Sequence, residues 1–281
     1  MSLVETITKL SDPWLVSAIH HRSLVQAFEL ATSADIGSME EPAEQEVAES
    51  NGYAVLPLKG TMMRQPNALE RIFLGATDTD LFTERARMLA SADSVQGVIL
   101  DIDSGGGSVA GVMEAANAVS SLSKAKPVVA YTGGVMASAA YWVGSQATDI
   151  VASESSRTGS IGVYIPHVDM SESYAKEGVS VELITNREGI YKGAGYEGTP
   201  LSAEQRSQLE SEVQEIFEAF KGDILSSRSV PADAMQGQSF MGKSAKSKGL
   251  IDATGSFGDA FGLLQAEVDR QGRLDTATKA I

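Results

Sequence analysis

An α/β fold is predicted for this chain, a mostly parallel sheet flanked by helices with a helical extension at the N-terminus. Three observations predict it. Short β-branched runs alternate with helix-patterned runs through the middle of the chain. A glycine-rich turn, "DIDSGGGSVAG", joins one such run to the next helix. One long segment, "LSAEQRSQLESEVQEIFEAFKGDIL", keeps a helical apolar period from Leu209 to Ile224 behind a capping box of Ser202 and Gln205.

Taken in order, "SDPWLVSAIHHRSLVQAFELATS" reads as a helix. Ser11 or Asp12 caps it, Pro13 suits its first turn, and Leu15, Ala18, Ile19, Val25 and Phe28 form a broken apolar stripe. Residues 1–34 are therefore expected to be a helical extension. Residues 35–50 hold six acidic side chains and no basic one, as expected of a solvated linker. The main domain is expected over 51–270, with 271–281 as a tail. Within it, "YAVLPL" and "VQGVILDID" read as strands and "SVAGVMEAANAVSSL" as a helix. "KPVVAYT" is a strand and "ASAAYWVGSQA" a helix. "DIVASE" and "SIGVYI" are short strands, "DMSESYAKEG" a helix and "SVELITN" a strand.

Composition removes several classes of function. The net charge of −15 argues against nucleic acid as a direct partner, since phosphate binding relies on clusters of Lys and Arg. With no cysteine and only His20, His21 and His167, neither a thiolate nor a histidine-rich metal site is expected. No cofactor is expected. No apolar run approaches the ~20 residues of a membrane span, and the first residues lack a secretory signal. A cytoplasmic protein is the expectation.

Two motif matches fail on context. "GQSFMGKS" fits the phosphate-binding loop pattern, but no buried strand leads into it and Gly249 stops the helix that follows. "SLSK" at 121–124 sits at a helix end just before Pro127.

The isolated hydroxyl in "GGVMASAAYW" is more informative. Ser138 stands at a helix start among alanines, where a nucleophile can be approached by a peptide backbone. A serine needs a base at neutral pH. His167 with Asp169 is one candidate, although Asp169 also makes an ordinary helix cap. A lysine in a dry pocket is the other, because burial disfavours the ammonium. Lys192, in "ITNREGIYKGAGYEG", is the loop lysine that qualifies.

The order of "DIDSGGGSVAG", "MASAAYW", "TGSIGV", "YKG" and "GQSFMGKSAKSKGLIDATG" resembles the SppA-type serine peptidases of the ClpP/crotonase superfamily, over residues 52 to 262. The resemblance implies a ClpP/crotonase-like fold and a Ser-Lys dyad. It makes Ser138 the nucleophile, Lys192 the general base and Ser160 the hydroxyl that orients the lysine. Gly106 or Gly107, with Ala139, would form the oxyanion hole. Glycine at 105 departs from the family's usual Ser-Pro-Gly-Gly turn and loosens the loop.

"SAAYWV", the length and the "WLV" helix look most like the phage capsid (prohead) proteases of that family, the lambda protein C-like group. Extended polypeptides such as scaffold, portal or capsid proteins would then be substrates, and the enzyme a homo-oligomer in host cytoplasm or inside the assembling head. A soluble bacterial peptidase, a non-catalytic capsid or scaffold protein and a crotonase-like acyl-CoA enzyme are the alternatives. The last has no use for a Ser-Lys pair and would need a basic patch for its phosphates.

Overall fold

A computed structural model describes residues 14–16 and 40–279, with side chains for 40–274. In chain order its elements are β1 (Trp14–Val16), β2 (Ala48–Ser50), β3 (Tyr53–Lys59), β4 (Met62–Met63), α1 (Ala68–Leu74), β5 (Thr77–Asp78), α2 (Thr79–Ser91), β6 (Gly97–Asp103), β7 (Gly106–Ser108) and α3 (Val112–Ala125). Then follow β8 (Val128–Thr132), β9 (Val135–Ala137), α4 (Ala139–Gly144), β10 (Asp149–Ala152), β11 (Arg157–Gly159), α5 (Ser171–Lys176) and α6 (Ala203–Ser227). The chain ends with β12 (Ser239–Met241), α7 (Gly242–Ser247), β13 (Ala253–Thr254) and α8 (Phe257–Lys279).

The expected class is observed: a mostly parallel sheet covered by helices. The central sheet has the order β13-β10-β8-β6-β3-β2, and only the β2–β3 pair is antiparallel. Its inner strands are apolar on both faces, as strands covered on both sides must be. Val98, Leu100 and Ile102 of β6 face the main core with Phe82, Val119 and Leu122 from α2 and α3. Ile99 and Val129 face the other way, onto Ala260 and Leu264 of α8. Tyr53 and Tyr131 meet Phe261 and Phe257 edge to face, at 5.2 and 5.4 Å. Two small sheets stand beside the central one, β12-β11-β9 and β1-β7-β4-β5. They carry the segments that matter for chemistry.

Five local expectations change. Residues 14–16, expected inside the first helix, form the strand β1, antiparallel to β7. The available edge of β7 satisfies this backbone in place of helical turns. The rest of that helix and residues 35–39 lie outside the described residues. The end of the expected linker, Ala48–Ser50, is a strand that pairs with β3 through a two-residue turn. Asn51 and Gly52 both have positive φ there, 52° and 82°, which is the tight hairpin turn that an Asn-Gly pair favours. In "SIGVYI" no strand forms. The strand is Arg157–Gly159, and it ends because Gly159 and Ser160 turn to positive φ. "SVELITN" alternates like a strand but pairs with none among the described residues and lies largely exposed. Finally, α8 runs unbroken to Lys279, across the boundary expected at 270.

The aromatic pair after Ser138 anchors α4. Trp142 is fully buried, stacks on Phe220 of α6 at 4.7 Å and donates from Nε1 to Asp223 Oδ2 at 2.7 Å. Burial raises the pKa of the Tyr141 hydroxyl, which stays protonated and donates to the Leu250 carbonyl at 2.8 Å. Trp142→Ala is expected to cost ~3–5 kcal/mol of stability in urea unfolding. Trp142→Phe keeps the stack, loses the Asp223 bond and should cost ~1–3 kcal/mol.

Candidate active site

Ser138 follows β9 directly and precedes α4. Its backbone is strained, at φ 56° and ψ −122°, a region that non-glycine residues seldom occupy. Three bonds hold it there. Its N–H donates to the Gly159 carbonyl at 2.8 Å, its carbonyl accepts from Trp142 at 2.9 Å, and the Ala137 N–H donates to the Ser104 carbonyl at 3.1 Å. A sharp strand-to-helix turn of this kind pushes one side chain clear of both elements. Yet Ser138 is only 1% exposed, and its Oγ has no hydrogen-bond partner among the described residues. A buried hydroxyl without a partner costs about 1–3 kcal/mol. Stability therefore does not account for a serine here.

Ser160 stands beside it. Parallel β9 and β11 pair Ala137 with Gly159, so the next residues, Ser138 and Ser160, leave the two strands side by side. Ser160 also has positive φ, 52°. Two of the four positive-φ residues that are not glycine among the described residues are thus these neighbouring serines, and strain of this kind gathers at functional sites. The segment that mimics a phosphate loop pins Ser160 in place. Gln238 O accepts from Ser160 N–H at 2.7 Å, and Gly237 N–H donates to Ile161 O at 2.9 Å. Its strand β12 is a short antiparallel edge, and the helix after it has six residues. That is not the architecture of a phosphate cradle.

The glycine loop comes up on the near side. Ser104 N–H donates to Val135 O at 2.8 Å, which ties the loop to β9 just ahead of Ser138. Ser104 was no candidate in the sequence, yet it organises the turn. Its hydroxyl donates to Gly60 O at 2.5 Å and accepts from Gly106 N–H at 3.2 Å. Gly106 has φ 101°, and a Cβ on Gly107 would sit 1.8 Å from the Met62 carbonyl oxygen. Both positions exclude a side chain. Gly105 is not among the positive-φ glycines, so its backbone does not itself require a glycine. Ala139, the residue after Ser138, is fully buried at the start of α4, which packs against β7 and β9.

The serines, the two glycines and Ala139 therefore converge. Lys192 does not join them in a single chain. It lies exposed in a turn where its N–H donates to Gly189 O at 2.9 Å. That turn is held by Gln205, which donates to Ile190 O at 2.8 Å. Around it Ile184, Ile190, Tyr191 and Tyr196 are exposed, Ile184 to 91%. His167 is no closer to a triad. It faces Gly195, and Asp169 accepts from Ser171 N–H at 2.9 Å in the turn just before α5, its pKa lowered first by the Ser171 bonds.

A cleft of about 360 Å³ opens beside Ser160, lined among others by Ile161, Val163, Phe217 and Met235 and by no charged residue. Among the described residues no group of acidic, histidine or cysteine side chains could hold a metal, and no helix is long and apolar enough to cross a membrane.

The model of a family described as peptidase family S49 matches residues 120–271, more than half of the chain, and the match includes Ser138, Ser160 and Lys192. The chain is 31% identical to the head-tail preconnector protein GP5 of Enterobacteria phage P21, over 76% of this chain and 43% of that protein. It is 29% identical to the capsid assembly protease C of Escherichia phage lambda, over 92% of this chain and 60% of that protein. It is 32% identical to the chloroplastic serine protease SPPA of Arabidopsis thaliana, over 66% of this chain and 28% of that protein. The chain thus spans less than two thirds of each of these relatives. An enoyl-CoA hydratase structure from Mycobacterium smegmatis overlays with a TM-score of 0.46 at 13% identity, over 81% of this chain and 76% of that one.

Proposed function

The chain belongs to peptidase family S49, and on that premise we propose that it is a serine endopeptidase working through a Ser138–Lys192 dyad. The observation that carries this is the buried, unpartnered Ser138 Oγ on a strained backbone beside Ser160. Ser138 Oγ attacks the peptide carbonyl while the lysine amine takes its proton. The amides of Gly107 and Ala139 receive the developing oxyanion, the Gly106 amide being engaged by Ser104. The lysine returns the proton to the leaving amine, and water then hydrolyses the acyl-enzyme with the lysine again as base. Ser160 orients the amine.

A general-base lysine needs a dry surrounding, and one chain leaves Lys192 exposed. The exposed apolar side chains beside it are the kind of surface that a second copy covers. The dyad is accordingly completed between subunits of a homo-oligomer, the lysine of one copy reaching the serine of the next.

The natural substrates are extended segments of phage head proteins, scaffold, portal or capsid, cut during assembly in the host cytoplasm or the nascent head. The names of the two phage relatives support this choice. A fluorophosphonate probe is expected to label Ser138 alone, as read by peptide mass spectrometry. Labelling elsewhere, or none, excludes the nucleophile. Products formed from co-expressed head proteins should map to a few sites in those proteins, whereas indiscriminate digestion of short peptides would indicate a peptide-clearing enzyme.

The uncharged cleft beside Ser160 sets specificity. An unmatched charge there loses its hydration without gaining a partner. Peptide-library profiling is expected to show small or aliphatic P1 residues, with Lys, Arg and Asp rejected by about 10²-fold. A dominant basic P1 preference contradicts this assignment of the cleft.

A further inference from the structure

The glycine strand has a visitor from its own chain. β7 pairs on one side with β4, in parallel, through Met62 and Gly107. On its other side lies β1, antiparallel, with Trp14 opposite Ser108, Leu15 opposite Gly107 and Val16 opposite Gly106. β1 is the outermost strand of that sheet. Without it, β7 would present a row of unpaired backbone groups at an open edge.

That edge belongs to the two glycines beside Ser138. β7 follows Ser104, which is bonded through both backbone groups to β9, and β9 ends at the nucleophile. An extended polypeptide adds to such an edge by main-chain hydrogen bonds, with little demand on its sequence. The register of β1 therefore lays a piece of the chain's own backbone where a substrate strand would have to lie. Only three residues make the ladder, which is short enough for a longer strand to displace.

Resting on the peptidase reading above, we infer that Trp14–Val16 is an internal occupant of the substrate-binding edge of β7, so that the chain is self-blocked until a polypeptide displaces the segment. Binding and blocking use the same backbone groups. Loosening β1 therefore speeds the enzyme without altering its chemistry.

The experiment compares full-length wild type with Leu15→Pro and Leu15→Val. Proline removes an N–H and restricts φ, which breaks a three-residue ladder; valine keeps strand preference. The readouts are the rate of Ser138 labelling by a fluorophosphonate and kcat/KM on a short extended peptide. Leu15→Pro is expected to react about tenfold faster than wild type, with Leu15→Val unchanged. A synthetic peptide covering residues 10–20 should slow the Leu15→Pro protein again, in competition with substrate. Val16→Pro replaces Leu15→Pro if thermal melting shows that the latter does not fold. Equal rates in wild type and the proline variant overturn the inference and leave the peptidase standing. No labelling of Ser138 in any variant overturns both.

Discussion

Ser138→Ala is expected to lower kcat by at least about 10³-fold while leaving the melting temperature unchanged or slightly raised. Both halves of this result follow from one observation. The Ser138 hydroxyl is buried without a partner, so alanine relieves a desolvated polar group rather than creating a cavity. A structural serine would behave in the opposite way, costing stability when removed. Lys192→Ala should give a loss of activity of the same order, because nucleophile and base act as a unit. His167→Ala should keep most of the activity, since His167 faces Gly195 and its neighbour Asp169 is occupied by the Ser171 N–H. An inactive but folded His167→Ala protein would replace the dyad with a histidine mechanism.

Gly107→Ala should be the most damaging small change outside the dyad, lowering kcat by about 10²- to 10³-fold. The added methyl would stand 1.8 Å from the Met62 carbonyl oxygen. The methyl is fixed by the backbone and the Met62 oxygen is itself backbone, so neither can rotate away and the glycine strand must shift. The proposed oxyanion donor then leaves the position it must hold to within a few tenths of an ångström. KM should rise as well, because β7 is also the inferred edge for a substrate strand, but only the oxyanion role predicts the fall in kcat. A variant that loses affinity but keeps its kcat would assign Gly107 to substrate binding alone.

The helices and strands of the central layer are legible in the sequence because each carries its own signal. The apolar run at 97–103 is buried on both faces, the run at 53–59 buries Ala54, Leu56 and Leu58 on one, and the capping box at Ser202 opens α6 as read. What escapes is decided by pairing partners. "SVELITN" has the alternation of a strand, but no strand among the described residues pairs with it. Trp14–Val16 has helix-like surroundings in sequence and becomes a strand because β7 offers an edge. The hairpin at Asn51-Gly52 did have a local signal, the Asn-Gly pair, overshadowed by the acidic run before it. α8 carries a local signal too, a helical apolar period at Phe257, Ala260, Phe261, Leu264 and Val268, interrupted by Gly258 and Gly262. Its place over the second face of the sheet is a tertiary fact.

The candidate site divides in the same way. Ser138 stands out in the sequence as a lone hydroxyl among small residues, and Ser160, Gly106, Gly107 and Ala139 come with the resemblance. The role of Ser104 in clamping Gly106 to Gly60 has no sequence signature, since a serine before glycines is common in any turn. Lys192 is the residue whose place a single chain leaves open, being exposed on a loop among apolar side chains.

The central claim, that Ser138 of one copy is served by Lys192 of another, is tested most directly by mixing two inactive proteins. Ser138→Ala and Lys192→Ala are combined under conditions in which exchange of subunits is shown by an independent label. Hydrolysis of a peptide substrate is then measured. Pairing across subunits predicts that part of the activity returns, because some interfaces unite an intact serine with an intact lysine. No recovery despite demonstrated exchange, or full wild-type activity in a strictly monomeric preparation, contradicts it.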